Sequence, residues 1–209
     1  MKLNAFILLG LLALLINSCI PSLYPLYKEI DLEFDERLVG KWLKDEYDKG
    51  ADIWTIKWID TSNIGDGFLG LNNEWANYST GKTYGMTAFQ FKNNREAKFA
   101  LHLLKLKGNY YLDFYPIDFD IPHGFVHLHM VPAHLFAKVE IKEDMFIMQY
   151  FDPEFLEESI ENNRIKVTHV KVENNYLITA ETDELQEFVK KYGDRPDVYM
   201  HPDTLRRIE

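Results

Sequence analysis

Lys98-Phe99-Ala100-Leu101-His102-Leu103-Leu104-Lys105-Leu106, then Lys107-Gly108-Asn109, then Tyr110-Tyr111-Leu112-Asp113-Phe114-Tyr115: two apolar runs of strand length meet across a glycine-centred connection, the pattern of a β-hairpin. A connection this short forces the two strands to be antiparallel neighbours. The same grammar recurs downstream. Ala133 to Ile141 and Met145 to Tyr150 flank Lys142-Glu143-Asp144, and Ile165 to Val172 and Tyr176 to Ala180 flank Glu173-Asn174-Asn175. Upstream, Tyr84 to Phe91 reads as a further strand. Ile53 to Ile59 puts Trp54, Ile56 and Trp58 on one side by period-two alternation.

Some nine strands in sequence order predict a mainly β protein with an antiparallel meander. Such a sheet must hide its edges, and an up-and-down barrel does so by closure. Two helices accompany it. Near 153–162, Asp152-Pro153 supplies an N-cap and a proline at the first helical position, ahead of Phe155, Leu156 and Ile160 on one face. Near 183–192, Asp183 is the expected cap, and Leu185, Phe188, Val189 and Tyr192 repeat at helical spacing up to Gly193. Residues 33–209 therefore read as a single antiparallel β domain, with the tail from Arg195 expected to cover an open end.

The amino terminus states an address. Lys2 precedes an eleven-residue apolar run, Phe6 to Ile16, and Asn17-Ser18-Cys19 follows. The run is too short to stay in a bilayer, where about 20 apolar residues are needed, and its layout is that of an export signal over residues 1–18. The ending resembles the lipobox of bacterial lipoproteins, in which a small residue precedes the cysteine that is acylated. That resemblance implies that Cys19 is lipidated and begins the mature chain. Cys19 is also the only cysteine, so no disulfide is available. Residues 19–32, with Pro21 and Pro25 and no clear period, read as the lipidated cysteine and a tether.

Leu38-Val39-Gly40-Lys41-Trp42 is similar to the opening of lipocalin-like barrels, where a Gly-x-Trp starts the first strand. The resemblance implies that Trp42 plugs one end of the barrel under a basic residue from near the carboxy terminus, Arg206 or Arg207. Lys44 stands where that family has a bulky residue. Taken whole, Cys19-Ile20-Pro21-Ser22-Leu23-Tyr24-Pro25-Leu26-Tyr27, Leu112-Asp113-Phe114-Tyr115-Pro116, Val131-Pro132-Ala133-His134 and Leu177-Ile178-Thr179-Ala180 resemble a group of small Bacteroidota-type lipoproteins. This implies an exported, lipid-anchored single domain and brings no activity with it. In those lipoproteins an acidic cluster after the cysteine looks like a cell-surface export signal; none follows Cys19, so the resemblance implies an outer-membrane anchor with the domain facing the periplasm.

Removing residues 1–18 leaves 22 basic against 33 acidic side chains, a formal charge of −11. Phosphate backbones and anionic lipid surfaces repel such a chain, so nucleic acid is not an expected partner and the lipid must supply membrane attachment. The expected partners are the membrane, through that lipid, and a small apolar ligand or another envelope protein. In the ligand reading, Trp54, Trp58, Phe89 and Phe91 line the barrel. In the alternative, the interior is filled by its own side chains and the surface does the work, since an eight-stranded barrel is only just wide enough for either.

Chemistry-bearing residues are dense only between Asp113 and His134, with Asp118, Asp120, His123, His127 and His129 between them. His127 and His129 would share one face of a strand and could hold a metal ion with a nearby carboxylate. The competing reading is a long polar loop punctuated by Pro116, Pro122, Gly124 and Pro132. Gly81-Lys82-Thr83 lacks the first glycine of a phosphate-binding loop, because Ala76 occupies that position. No nucleophile elbow is present and no catalytic residues are expected. No cofactor is expected either.

Overall fold

The computed structural model describes residues 19–46, 50–59, 81–119, 130–173 and 175–208. The expected signal segment 1–18 and His123, His127 and His129 lie outside them. Among the described residues, ten strands and two α-helices run in the order β1 (Gly40–Glu46), β2 (Gly50–Ile59), β3 (Thr83–Gln90), β4 (Arg95–Leu106), β5 (Asn109–Phe119), β6 (Leu135–Ile141), β7 (Met145–Tyr150), α1 (Pro153–Glu161), β8 (His169–Val172), β9 (Asn175–Ile178), α2 (Thr182–Tyr192) and β10 (Asp203–Arg207).

Eight strands close an antiparallel up-and-down barrel in the order β1-β10-β7-β6-β5-β4-β3-β2. The β4–β5 hairpin turns through Lys107 and Gly108, both at positive φ (50° and 88°), with Leu106 opposite Asn109. Two positive φ values match the right-handed twist of the flanking strands, and Gly108 adopts its value without a Cβ penalty. Pro116 is accommodated within β5 because the register slips there: Phe99 faces Pro116 while Lys98 faces Asp118. A proline fits such a bulge because no ladder donor is required of it. The strand expected to end at Tyr115 therefore runs on to Phe119, into the expected loop.

Four other expectations are corrected. The 165–180 hairpin does not belong to the barrel. β8 and β9 form a separate two-stranded sheet, because α1 and α2 carry this excursion onto the barrel's outer wall. The tail does not merely cover an end. β10 is the closing strand, pairing with β7 on one side and β1 on the other. Residues 19–32 do not hang free as a tether. Leu26 and Leu32 are buried, and Ser22 bridges both His134 and Ile178, so this segment is a strap across the outside of the barrel. The second helix also begins a residue early, at Thr182. The Thr182 hydroxyl donates to the strap carbonyl of Pro25 at 2.8 Å, and Asp183 pairs with Lys28 instead of capping.

Alternation along the strands separates two cores. Trp42, Trp54, Ile56, Tyr84, Met86, Leu101, Leu103, Leu112, Phe114, Phe146, Met148 and Leu205 face into the barrel. Leu104, Leu106, Tyr111 and Phe136 face outward and are covered by the strap, by Leu156 of α1 and by Leu185, Phe188 and Val189 of α2. Leu103 and Leu104, one residue apart, belong to different cores, as a pleat of period two requires.

Candidate functional site

One end of the barrel is sealed. The Trp42 indole donates to the Leu38 carbonyl at 2.9 Å, and the Arg207 guanidinium lies over its ring, 4.2 Å from the centroid. Arg207 also donates to the carbonyls of Val39 (2.9 Å), Glu143 (2.7 Å) and Arg37. The cation is thus held by three acceptors and one aromatic face, a fork geometry that a lysine could not reproduce. Beside it, the Tyr84 hydroxyl donates to the Asp35 carbonyl (3.1 Å) and accepts from the Asp35 amide (2.6 Å). Burial pushes the Tyr84 pKa up to about 12. Phe34 packs edge-on against Trp58 (4.4 Å) and stacks on Tyr84 (5.8 Å). Asp35 is in turn held by Arg37, whose guanidinium keeps the carboxyl below the usual carboxylate range.

Moving up the interior, aromatic rings follow one another. Trp42 meets Phe146 at 4.8 Å, Phe146 meets Trp54 at 6.3 Å, Trp54 meets Phe114 at 6.1 Å, and Phe114 meets Tyr150 at 6.4 Å. Beyond them an ion pair sits at the opposite mouth: Lys44 Nζ is 2.9 Å from Asp203 Oδ2 and 5.8 Å from the Trp54 ring centroid. The interior therefore changes from apolar to charged along its axis. Lys44, where the lipocalin-like pattern has a bulky residue, is the side chain that makes the change.

The four expected liners do not come together. Trp54 and Trp58 face inward and are packed by neighbouring rings. Phe89 sits on the opposite face of β3 from Tyr84, Met86 and Ala88, and meets Phe91 edge-on at 5.0 Å. Phe91 lies beyond the strand and is exposed. The proposed metal pair, His127 and His129, is outside the described residues. Among the described residues no group of three His, Cys, Asp or Glu side chains could hold a metal ion, and no helix is long and apolar enough to cross a membrane.

A second polar cluster lies outside the barrel, beneath the strap. Asp113, fully buried on β5, receives the Leu26 amide on Oδ2 at 2.7 Å, and its Oδ1 lies 2.6 Å from His134 Nδ1. A carboxylate only accepts, so His134 Nδ1 carries the proton. His102, cross-strand from Asp113, approaches the Thr83 hydroxyl at 3.0 Å and stacks under Tyr27 at 4.0 Å. Burial, followed by the charge of Asp113, raises the Tyr27 pKa. A buried Asp–His pair is also the orienting half of a hydrolytic triad. In this protein the Ser22 hydroxyl turns to the Tyr24 carbonyl and that of Thr83 to His102, so the pair acts as a latch for the strap. One sign of this was present in the chain: Asp113 alternates onto the same face as Tyr111 and Tyr115, a face too apolar to be left in water.

A hollow of about 710 Å³ opens between α2, residues 163–166 and the β4–β5 turn, rimmed by Lys107, Arg164, Lys166, Lys190 and Lys191 with Glu184 and Glu187. Lys107 is engaged by Asp194 and Lys190 by Gln186.

No known family, curated protein or solved structure matches the chain.

Proposed function

We propose that the protein is a lipid-anchored lipoprotein of the cell envelope, attached through Cys19 to the outer membrane and facing the periplasm, whose barrel is filled by its own side chains and which works through its surface as an interaction scaffold. The observation that carries this reading is the continuous column from Arg207 and Trp42 through Phe146 and Trp54 to Phe114. Those rings occupy the volume that a ligand-carrying barrel of this strand number would keep open. The lipobox-like ending at Cys19 supplies the anchor.

A second reading is favoured by a specific feature of the mouth. Phe99, Leu135 and Tyr150 are only partly buried against the interior core, and the Lys44–Asp203 pair lies beside them. A small apolar ligand with a polar head would find both chemistries at that rim. Native mass spectrometry of protein extracted from membranes in detergent separates the readings. The scaffold reading expects the chain mass plus acyl groups and nothing more. An organic increment that leaves on denaturation supports the ligand reading, and a metal-sized one points to His127 and His129.

A further inference from the structure

The strap and the β8–β9 hairpin make a small sheet of their own. Leu23 N–H donates to the Ile178 carbonyl and Ile178 N–H to that of Pro21, both close to 2.9 Å (2.8 and 2.9 Å), and Ser22 exchanges two bonds of 2.8 Å with His134. Ser22 and Ile178 are fully buried or nearly so against the barrel. Alternation then turns their neighbours the other way. Leu23 and Ala133 face outward together on one side of the antiparallel Ser22–His134 bridge, with Val131 two residues further on. Leu177 faces outward on β9, opposite Val170 on β8, and Val172 follows.

This strip is aliphatic and open. Val131 is 74% exposed, Val172 57%, Val170 47% and Leu23 40%. None of the six positions carries a charge, in a chain of which 27% of residues do. It also holds neither Trp nor Arg, the side chains on which protein interfaces concentrate their energy. The strip lies beside the anchor: Leu23 is four positions along the chain from Cys19, a span that reaches about 14 Å at most.

We infer that this strip is a bilayer-contacting face, which lays the strap side of the barrel against the membrane that holds the Cys19 acyl chains. The inference rests on the lipid anchor proposed above and deepens it, because it assigns the orientation of the domain as well as its attachment. Aliphatic side chains at this depth enter the boundary between headgroups and acyl chains. The strap, packed along its length, leaves no slack for the domain to swing away.

The test uses the full chain, expressed with its signal, purified and reconstituted into vesicles of phosphatidylethanolamine and phosphatidylglycerol. Acylation leaves no free thiol on Cys19, so Val131→Cys, Val170→Cys and, on the opposite wall of the barrel, Lys57→Cys each carry a single environment-sensitive fluorophore. Lipids bearing a shallow nitroxide serve as quencher. Intact mass first establishes whether Cys19 is acylated. The expected result is blue-shifted emission and at least threefold stronger quenching at 131 and 170 than at 57. Acylated protein with equal quenching at all three sites overturns the orientation and leaves the anchor standing. An unmodified Cys19 overturns both. Protection of sites 131 and 170 in intact cells but not in vesicles overturns the lipid assignment in favour of a protein covering the strip.

Discussion

Arg207 is the residue on which the closed end depends. Its guanidinium combines one cation–π contact, worth about 1 kcal/mol or somewhat more when desolvated, with bonds to three carbonyls that otherwise lose their partner. Arg207→Ala should cost about 2–3 kcal/mol in urea unfolding and red-shift the emission of Trp42. Arg207→Lys should recover less than half of the loss, since an ammonium cannot present the same fork. Tyr84 makes a prediction in pH. Its folded-state pKa lies near 12, above the value of about 10 for an unfolded chain. The protonated hydroxyl thus stabilises the fold fully below pH 10, and that contribution is lost as pH rises from about 10 to 12. Tyr84→Phe should flatten this alkaline decline, as followed by thermal melts across that range. Arg207 was among the candidates its resemblance suggested, because a basic residue near a carboxy-terminal strand is a local mark. Asp113 was placed on its strand but its burial was not foreseen, because a lone carboxylate ahead of Pro116 looks solvated until the strap that buries it is known.

At the scale of elements, the strap and α2 are held by a few dense contacts. Asp113→Asn keeps the shape but removes the charge that the Leu26 amide and His134 share. It should cost about 1–3 kcal/mol and speed amide exchange at residues 22–26 ahead of the barrel strands. Gly193 ends α2 where a Cβ would collide with the Tyr111 hydroxyl and the Val189 carbonyl. Gly193→Ala must push the helix off β5, and a loss of about 1–3 kcal/mol in melting experiments is expected. The hairpin at Lys107-Gly108 was plain in the chain because its turn chemistry is local. β3 was placed correctly but its inward face was misassigned: Phe89 shares its alternation with Gly85 and Thr87, which was the available clue, and two phenylalanines outweighed it. β10 was missed because Asp203-Thr204-Leu205-Arg206-Arg207 has one inward aliphatic residue, Leu205, and its strand character comes from the partners on both sides.

The whole molecule is a barrel with a second core on its wall, and the two share β4, β5 and β6. Since Leu103 and Leu104 lie back to back on one strand, neither core can come apart without exposing the other. Denaturant unfolding monitored by tryptophan emission, to which the barrel residues Trp42, Trp54 and Trp58 contribute three of the chain's four tryptophans, should therefore coincide with far-UV dichroism of α1 and α2. Transitions separated in midpoint would show instead that the outer layer opens alone. The barrel class was legible because hairpin spacing and apolar alternation are repeated across the chain. The outer layer was legible in pieces, as two helices and a hairpin, but not as one layer under a strap, because these are short elements from distant parts of the sequence, each with too few apolar residues to declare all its partners.

Closure by β10 sets an order of events during synthesis. β1 to β7 emerge as an open sheet with two unsatisfied edges, and some fifty residues of excursion pass before the strand that joins those edges exists. A nascent chain thus cannot lock into its final shape until residue 207 has been made. Any chain cut short before Asp203 is left with exposed strand edges for proteases and chaperones to find.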